Sequence, residues 1–439
     1  MNINESEARL GKLTRKTFLS MWSYQNPYFE TGKELCDVLV VFGNDIILMS
    51  DKLIQYGDHE STEVNWKRWY KKAVAGSVKQ LRGALRQIKM APQKIFCDAL
   101  ASSPFPLELP PINQMRIHLI AIANGCEKAC EQSHEHASLK IDTSCIDDSK
   151  PLTVGTYVGT GNFIHVISTK ALEAIFECFD TTRDFIDYLD RKQTALSQGN
   201  WLIHGEESLI GGYMLSQPGN RPFSIPVAAF PIENNIRVVH PEIWPAYLTS
   251  NERQQREQIR TTSYDIDRLI EHVADEYRQN NMVIGQDQAL AYHERAFRLI
   301  AGESRFSRQF ISAALREIWN ESTRTFWSTI VASQDFPNLY YLWLLYPEPL
   351  EDWSVEQYEE ILLNQLTCYM LVARSKFPEA QFIFGICLPN RDCSKTSRAF
   401  RVMDGKDWTI EQQELAEKLE QEYGILSNIE TTLHVSQRC

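Results

Sequence analysis

The chain has 439 residues, of which 43% are hydrophobic, 23% charged and 11% aromatic. This composition excludes a disordered chain, a collagen and a coiled-coil rod, and the length suits two or three domains at roughly 150 residues each. The formal net charge of -12 argues against a general nucleic-acid coat and is compatible with a local basic site.

The sequence shows no sign of export or membrane insertion. Its best apolar run, LYYLWLLY at 339–346, has the length of a strand, whereas a membrane-spanning helix needs about 20 residues. The N-terminal segment MNINESEARLGKLTRK lacks the apolar core of a secretory signal. We therefore expect a cytoplasmic protein with no membrane partner, in which the ten cysteines are reduced.

The first predicted elements are a helix over 6–22 and a hairpin. The hairpin consists of two β-rich runs, VLVVF at 38–42 and IILM at 46–49, on either side of Gly43-Asn44-Asp45. Two such runs about a Gly-Asn turn are typical of paired antiparallel strands. The next helix is predicted over 64–90, and it is followed by a strand at 117–123, a short helix near 125–132 and strands at 139–141 and 163–168.

Beyond residue 168 the pattern predicts helices first and then a strand–helix–strand layer. Residues 169–200 and almost all of 262–333 are predicted to be helical, whereas 213–250 is rich in Pro and Gly and predicted to be irregular. Capping boxes at Ser354 and Thr409 mark two helix starts near the C-terminus. The elements predicted there are strands at 338–346, 381–388 and 398–404, and helices at 355–374 and 409–424.

The predicted helix at 64–90 has an unusual charge pattern. The first hundred residues hold 15 Lys and Arg against 11 Asp and Glu, a net charge of +4 in an otherwise acidic chain. Within 64–90 there are eight cations and no acid, and Trp66, Trp69 and Tyr70 lie near the start. The cations could neutralise phosphates and the aromatics could stack on bases, or the cations could form a solvated face over a core of aromatics. The candidate nucleic-acid-binding residues are Lys67, Arg68, Lys71, Lys72, Lys79, Arg82 and Arg86.

The hairpin contains the residue types that a magnesium-dependent nuclease needs. Glu34 and Asp37 lie at its start, and Asp51 and Lys52 lie at its end. Carboxylate oxygens hold Mg²⁺, which lowers the pKa of a bound water, and a nearby lysine can stabilise developing charge. Glu34, Asp37 and Asp51 are therefore candidate metal ligands.

The arrangement resembles the PD-(D/E)XK, or restriction-endonuclease-like, nuclease superfamily. The shared features are a leading helix, Glu-x-x-Asp at a strand start, a hairpin, a lysine at the end of its second strand and a following helix, over roughly 8–125. The resemblance implies that Asp37 is the central metal ligand, Lys52 the catalytic lysine, Glu34 an accessory acid and Gln80 a supporting polar residue. Residues 22–52 also resemble the start of uncharacterised bacterial proteins that often look like parts of anti-phage or mobile-element cargo.

One position departs from the superfamily pattern. The second acid belongs two residues before the lysine, where this chain has Ser50, and Asp51 is adjacent instead. If the hairpin loop has two residues, Asp37 pairs with Ser50, and Asp37, Ser50 and Lys52 share a face while Asp51 points away. If the loop has three residues, Asp37 pairs with Asp51 and Lys52 faces the other way. Only a bulge near Ser50 would gather Asp37, Asp51 and Lys52.

Four possible zinc ligands occur close together at Cys126, Cys130, His134 and His136. Their spacing does not match the usual finger or ribbon patterns, so zinc is not expected. Cys126 and Cys130 are expected to be core contacts on one helical face.

These features lead to a mixed α/β fold and a nuclease hypothesis. The predicted parts are a restriction-endonuclease-like domain at 1–170, a connecting segment at 171–261, a helical region at 262–333 and a C-terminal α/β unit at 334–439. The predicted function is Mg²⁺-dependent cleavage of nucleic acid, DNA rather than RNA, in bacterial anti-phage defence. The alternatives are a non-catalytic scaffold whose acidic helical or C-terminal part binds a protein partner, and a sensor that exposes the nuclease site after binding phage protein.

Overall fold

The computed structural model describes eight stretches of the chain and is mixed α/β, as the sequence predicts. The chain divides into two compact units, Met1–Glu257 and Gln258–Gln437. Within the described stretches, none of the helices combines the length and apolar character that a membrane crossing requires. Residues 216–229, part of the predicted irregular segment, lie outside them. The described residues are 5–58, 61–159, 161–215, 230–280, 288–320, 326–348, 353–394 and 396–427.

The first unit contains seven helices and thirteen strands in its described part. The helices are α1 (Glu5–Trp22), α2 (Thr62–Met90), α3 (Glu127–His134), α4 (Thr169–Cys178), α5 (Thr182–Gln198), α6 (Glu206–Leu215) and α7 (Ile243–Leu248). The strands are β1 (Ser23–Gln25), β2 (Tyr28–Glu30), β3 (Lys33–Glu34), β4 (Val38–Phe42), β5 (Asp45–Leu53), β6 (Arg116–Asn124), β7 (Lys140–Asp142), β8 (Thr153–Val154), β9 (Tyr157–Gly159), β10 (Asn162–Ile167), β11 (Trp201–Ile203), β12 (Ile232–Glu233) and β13 (Ile236–Val239).

The largest sheet of this unit has the strand order β1-β4-β5-β6-β10-β9. β4 is antiparallel to both β1 and β5, whereas β6 is parallel to both β5 and β10. The apolar residues at 46–49 and 119–123 are fully buried, as expected for central strands covered on both faces. α2 packs against β5 and β6, while α1 packs against β4 and α4 against β6. The β4–β5 hairpin is therefore part of a sheet against which α1, α2 and α4 pack.

The predicted hairpin is confirmed, with a two-residue loop. Phe42 pairs with Asp45, and the ladder runs back to the pair Val38 and Met49. Gly43 has φ 59° and occupies the first central position of the turn, where glycine adopts a positive φ without steric cost. The loop length is the one for which the sequence predicts an Asp37–Ser50 pair, but the ladder stops one residue short of that pair, and the Asp37 backbone N–H bonds the carbonyl of Met49 instead.

Two predicted helical stretches need correction. The helix predicted over 169–200 is interrupted, because Thr181 accepts a hydrogen bond from the backbone N–H of Asp184 and starts a new helix, α5. The prediction of helix up to 333 is wrong for 327–332. This segment, WSTIVA, is rich in β-branched residues and pairs antiparallel with an adjacent strand along its whole length.

The second unit contains a four-stranded sheet and five helices in its described part. The order is β14-β15-β16-β17, with β15 parallel to β16 and the outer pairs antiparallel. Both predicted capping boxes, at Ser354 and Thr409, are present. The elements are β14 (Trp327–Ala332), β15 (Leu339–Tyr346), β16 (Phe382–Pro389) and β17 (Ala399–Asp404), and α8 (Asn251–Arg278), α9 (Leu290–Ala301), α10 (Arg305–Asn320), α11 (Val355–Lys376) and α12 (Ile410–Tyr423).

A buried acid in the second unit makes its stability depend on pH. Glu303 is fully buried and accepts a hydrogen bond from the Tyr341 hydroxyl (2.8 Å), and burial raises the pKa of Glu303 to about 7. Because this pKa is higher in the folded than in the unfolded chain, the stabilisation is complete at low pH. The unfolding free energy should then fall between about pH 4.5 and pH 7, by up to ~3 kcal/mol. Urea unfolding at a series of pH values should show this fall in the wild type and not in Glu303→Gln, and an unchanged pH dependence in the variant would contradict it.

Candidate functional site

Asp37 lies at the point where β4 begins, beside the end of β5. Its backbone N–H donates to the carbonyl of Met49 (3.1 Å), and its carboxylate Oδ2 accepts from the backbone N–H of Asp51 (2.5 Å). Because the N–H groups of a strand lie in the plane of the sheet, the Asp37 carboxylate sits at the edge of β5 and not over one face. The acid at the start of the hairpin is thereby held against the segment that contains Ser50, Asp51 and Lys52.

Ser50 and Asp51 point to opposite sides of the sheet. The buried Ser50 hydroxyl is hydrogen-bonded to Gln80 Oε1 of α2 (3.0 Å). The Asp51 carboxylate accepts from Asn124 Nδ2 (2.9 Å), and the same amide nitrogen donates to Thr169 Oγ1 at the start of α4 (2.9 Å). Adjacent residues of a strand point to opposite faces, so this alternation is expected of β5 whatever the loop length. Gln80 therefore lies next to the position of the missing acid, and Asp51 lies near the N-terminus of α4.

The other two candidate residues lie near this point. Glu34 is exposed in the short β2–β3 ribbon. In the orientation in which the Asn26 amide nitrogen faces them, it donates to Glu34 Oε1 (3.2 Å) and to the carbonyl of Asp37 (3.1 Å). Lys52 follows Asp51 on β5, is partly exposed and forms no ion pair with any acid in the described stretches. Its ammonium is therefore not engaged by a neighbouring carboxylate there.

The donor set at this edge is small for a metal ion. No group of three or more His, Cys, Asp or Glu side chains in the described stretches is placed to hold one. Asp37 and Asp51 nevertheless provide two carboxylates at this point of the chain: that of Asp37 bonds the backbone N–H of Asp51, and that of Asp51 accepts from Asn124. Mg²⁺ keeps several waters and is commonly bound through one or two carboxylates plus substrate phosphate, so these residues fit it in type and number.

The aromatic residues of α2 belong to the core. Trp66 is fully buried, and Trp69 and Tyr70 are 2% and 4% exposed. Trp69 Nε1 donates to the carbonyl of Ile54 (2.8 Å), so this indole fixes the helix to the chain that leaves β5. Base stacking, one of the two roles considered for these rings, is excluded in this conformation because their faces are covered.

The cations of α2 are exposed and lie along a groove. The groove has a volume of about 940 Å³ and runs between α2 and the segment 147–157. Trp66 Nε1 donates to the carbonyl of Asp148 (3.0 Å) and holds that segment against the helix. Six of the seven predicted nucleic-acid-binding residues line the groove, and Lys72 does not. The charged and phenolic residues that line it, called the basic groove below, are Lys67, Arg68, Tyr70, Lys71, Lys79, Arg82, Arg86, Asp147, Asp148 and Tyr157.

The basic groove and the hairpin lie on different flanks of α2. Gln80, which contacts Ser50, is nine residues from Lys71, which at about 100° per residue places the two on opposite sides of the helix. Arg82 is turned about 160° away from Gln80 by the same geometry. The sequence-predicted residues thus fall into two groups, Asp37 to Lys52 with Gln80, and the groove cations.

Several residues at these sites carry no signal in the sequence. Tyr157, Asp147 and Asp148 reach the groove only because the chain returns to α2 about 60 residues after the helix ends. Asn124 is the last residue of the apolar strand β6, and no motif in the sequence marks it as part of a site. Cys126 and Cys130 are both buried, as expected for core contacts.

The bridge made by Asn124 gives a test of how the hairpin end is held. Its side chain donates to Asp51 and accepts from the backbone N–H of Thr169 (2.8 Å), and the residue is 6% exposed. Asn124→Ala should lower the unfolding free energy by about 1–3 kcal/mol, because buried partners lose their hydrogen bonds. Chemical denaturation measures this, with the exposed Asn113→Ala as the matched control. Equal effects of the two substitutions would show that the bridge contributes nothing.

The chain matches no protein-family model, no curated protein and no solved structure. What the site does is therefore inferred from its own geometry and chemistry.

Proposed function

We propose that the N-terminal unit is a Mg²⁺-dependent nuclease of the restriction-endonuclease-like kind, which cleaves nucleic-acid phosphodiesters, DNA rather than RNA. The observation that carries the proposal is the contact of the Asp37 carboxylate with the backbone of Asp51 (2.5 Å). It brings the acid that precedes β4 to the backbone of β5 between Ser50 and Lys52. A role in bacterial anti-phage defence rests on the resemblance of residues 22–52 alone.

The order of elements supports the same proposal. A helix, α1, precedes the hairpin β4–β5, the acid stands at the start of its first strand and the lysine near the end of its second, and α2 follows. β6 is parallel to β5 and completes the sheet behind the site. These are the features on which the resemblance to the superfamily depends.

Each residue has a distinct role in this proposal. Asp37 and Asp51 would hold Mg²⁺, with Glu34 as an accessory acid. When bound, the ion lowers the pKa of a coordinated water and screens the phosphate. The Lys52 ammonium, which no described acid engages, stabilises the negative charge that develops on the phosphate. Gln80 orients Ser50 and with it the end of β5.

A specific observation favours a second candidate, a non-catalytic scaffold. The position of the superfamily's second acid holds Ser50, whose hydroxyl is bonded to Gln80 and brings no negative charge. In a scaffold the nuclease-like frame would be retained for its shape. A protein partner would then be bound by an acidic surface such as α12, where Glu411, Glu414 and Glu417 are exposed.

Cleavage assays on the full chain test the enzyme proposal. With Mg²⁺ present, labelled DNA should be cut, and Asp37→Asn and Lys52→Ala should each lower the rate by at least about 100-fold, the scale at which a general catalytic group or charge stabiliser contributes. EDTA should abolish the activity. Lys94→Ala, which removes an exposed lysine outside the site, should leave the rate unchanged. Activity that survives in both Asp37→Asn and Lys52→Ala would refute the proposal.

A cellular assay separates the scaffold from the enzyme. If the scaffold reading is correct, Asp37→Asn and Lys52→Ala retain function in cells, whereas Glu414→Lys with Glu417→Lys loses it, because charge reversal repels a partner that recognises acids. The nuclease proposal expects the reverse pattern. Circular dichroism of each variant confirms that the fold is kept.

A further inference from the structure

The basic groove contains two tyrosines whose hydroxyls lack a hydrogen-bond partner among the described residues. Tyr70 is 4% exposed, and its hydroxyl is buried with no hydrogen-bond partner in the described part of the chain. The Tyr157 hydroxyl, from β9 on the other wall, is buried and unpartnered in the same way. Buried hydroxyls are normally hydrogen-bonded, so two orphan donors in one groove are a sign of a missing ligand.

Most cations of the groove also lack an ion-pair partner among the described residues. Lys67, Lys71, Lys79, Arg82 and Arg86 are exposed, and none forms an ion pair with a described acid. These five side chains are therefore unpaired within the described residues, although the protein carries a net charge of -12. Five unpaired cations on one wall attract an anion and not a neutral ligand.

The size of the groove distinguishes a polymer from a small anion. Lys67 and Arg86 are 19 residues apart on α2, which corresponds to about 28 Å of helix at ~1.5 Å per residue. A duplex strand places phosphates about 3.4 Å apart along the helix axis, so this length matches roughly eight of them. A single phosphate or a mononucleotide would contact only part of such a row.

We infer that the basic groove binds the phosphodiester backbone of a nucleic acid, with the hydroxyls of Tyr70 and Tyr157 donating to phosphate oxygens between the cations. This deepens the proposed function by naming the binding site of its substrate, but it does not depend on cleavage, since the groove lies on the flank of α2 opposite Gln80. Both hydroxyls are closed to solvent in this conformation, so donation to a phosphate requires the side chains around them to shift. Contacts to phosphate oxygens carry no sequence information, so binding through them is independent of sequence.

Two further details agree with this assignment. Burial raises the pKa of Tyr157 to about 12, so its phenol stays protonated and can donate to an anion throughout the physiological pH range. Asp147 and Asp148 also line the groove and repel phosphate, which limits the affinity. Removing their charge should therefore strengthen binding, an effect opposite in sign to that of the cation substitutions.

The experiment measures binding without cleavage. Fluorescence anisotropy of a labelled duplex oligonucleotide is recorded with the full chain in EDTA over a series of salt concentrations, both in the wild type and in an Asp37→Asn background. Tyr70→Phe and Tyr157→Phe should each weaken binding about tenfold, the scale of a hydrogen bond to a charged group. Since neither hydroxyl has a partner in the fold, thermal stability should not fall. Lys71→Gln with Arg82→Gln should reduce the slope of log affinity against log salt by about 1.8, or ~0.9 per lost phosphate contact.

Matched variants complete the test. Lys72→Gln, on the same helix but outside the groove, should leave affinity and slope unchanged, and Asp147→Asn with Asp148→Asn should tighten binding. Inorganic polyphosphate should compete with the oligonucleotide, because both present phosphates. The inference is overturned if both Tyr→Phe variants bind like the wild type, if Lys72→Gln is as damaging as Lys71→Gln with Arg82→Gln, or if polyphosphate binds and the oligonucleotide does not. Intact binding without any cleavage would refute the nuclease proposal alone.

Discussion

The register of one hairpin decides what the N-terminal unit can do. A two-residue loop at Gly43-Asn44 aligns the start of β4 with Met49 of β5, and the Asp37 carboxylate then accepts a hydrogen bond from the backbone N–H of Asp51. A loop longer by one residue would turn every side chain of β5 to the other face of the sheet. Ser50 would then lose Gln80, and Asp51 would lose Asn124. The contacts with α2 and α4 thus depend on the same turn.

α2 is the second constraint, because it separates the hairpin residues from the cations of the basic groove. Its buried side carries three large aromatic rings that anchor it to the sheet, and Trp66 also anchors the segment 147–157 through Asp148. One flank supplies Gln80 to the hairpin and the other supplies the cations of the basic groove. The cations of α2 are therefore found on the side of the helix that faces solvent and the basic groove.

Local patterns in the sequence were sufficient for most elements of the fold. The hairpin, α2 and both capping boxes were predictable because turn residues, helical spacing and cap residues act within a few positions of the chain. The strand at 327–332 was not, because its pairing with β15 is a tertiary interaction that periodicity does not report. The same limit applies to the sites. Asp37 and Lys52 are close in sequence and were found together, whereas Tyr157 joins the groove from a distant strand.

The separation of hairpin and groove restricts how a nucleic acid could use both. In the nuclease proposed above, a strand bound only along the groove follows α2 on the flank away from Gln80, so its scissile phosphate would have to pass around an end of the helix to meet Asp37 and Lys52. A substrate long enough to turn that corner would contact both sites, whereas a shorter one would occupy the groove alone. Binding and hydrolysis are then expected to have different length requirements, which follows from the helix that holds the two sites apart.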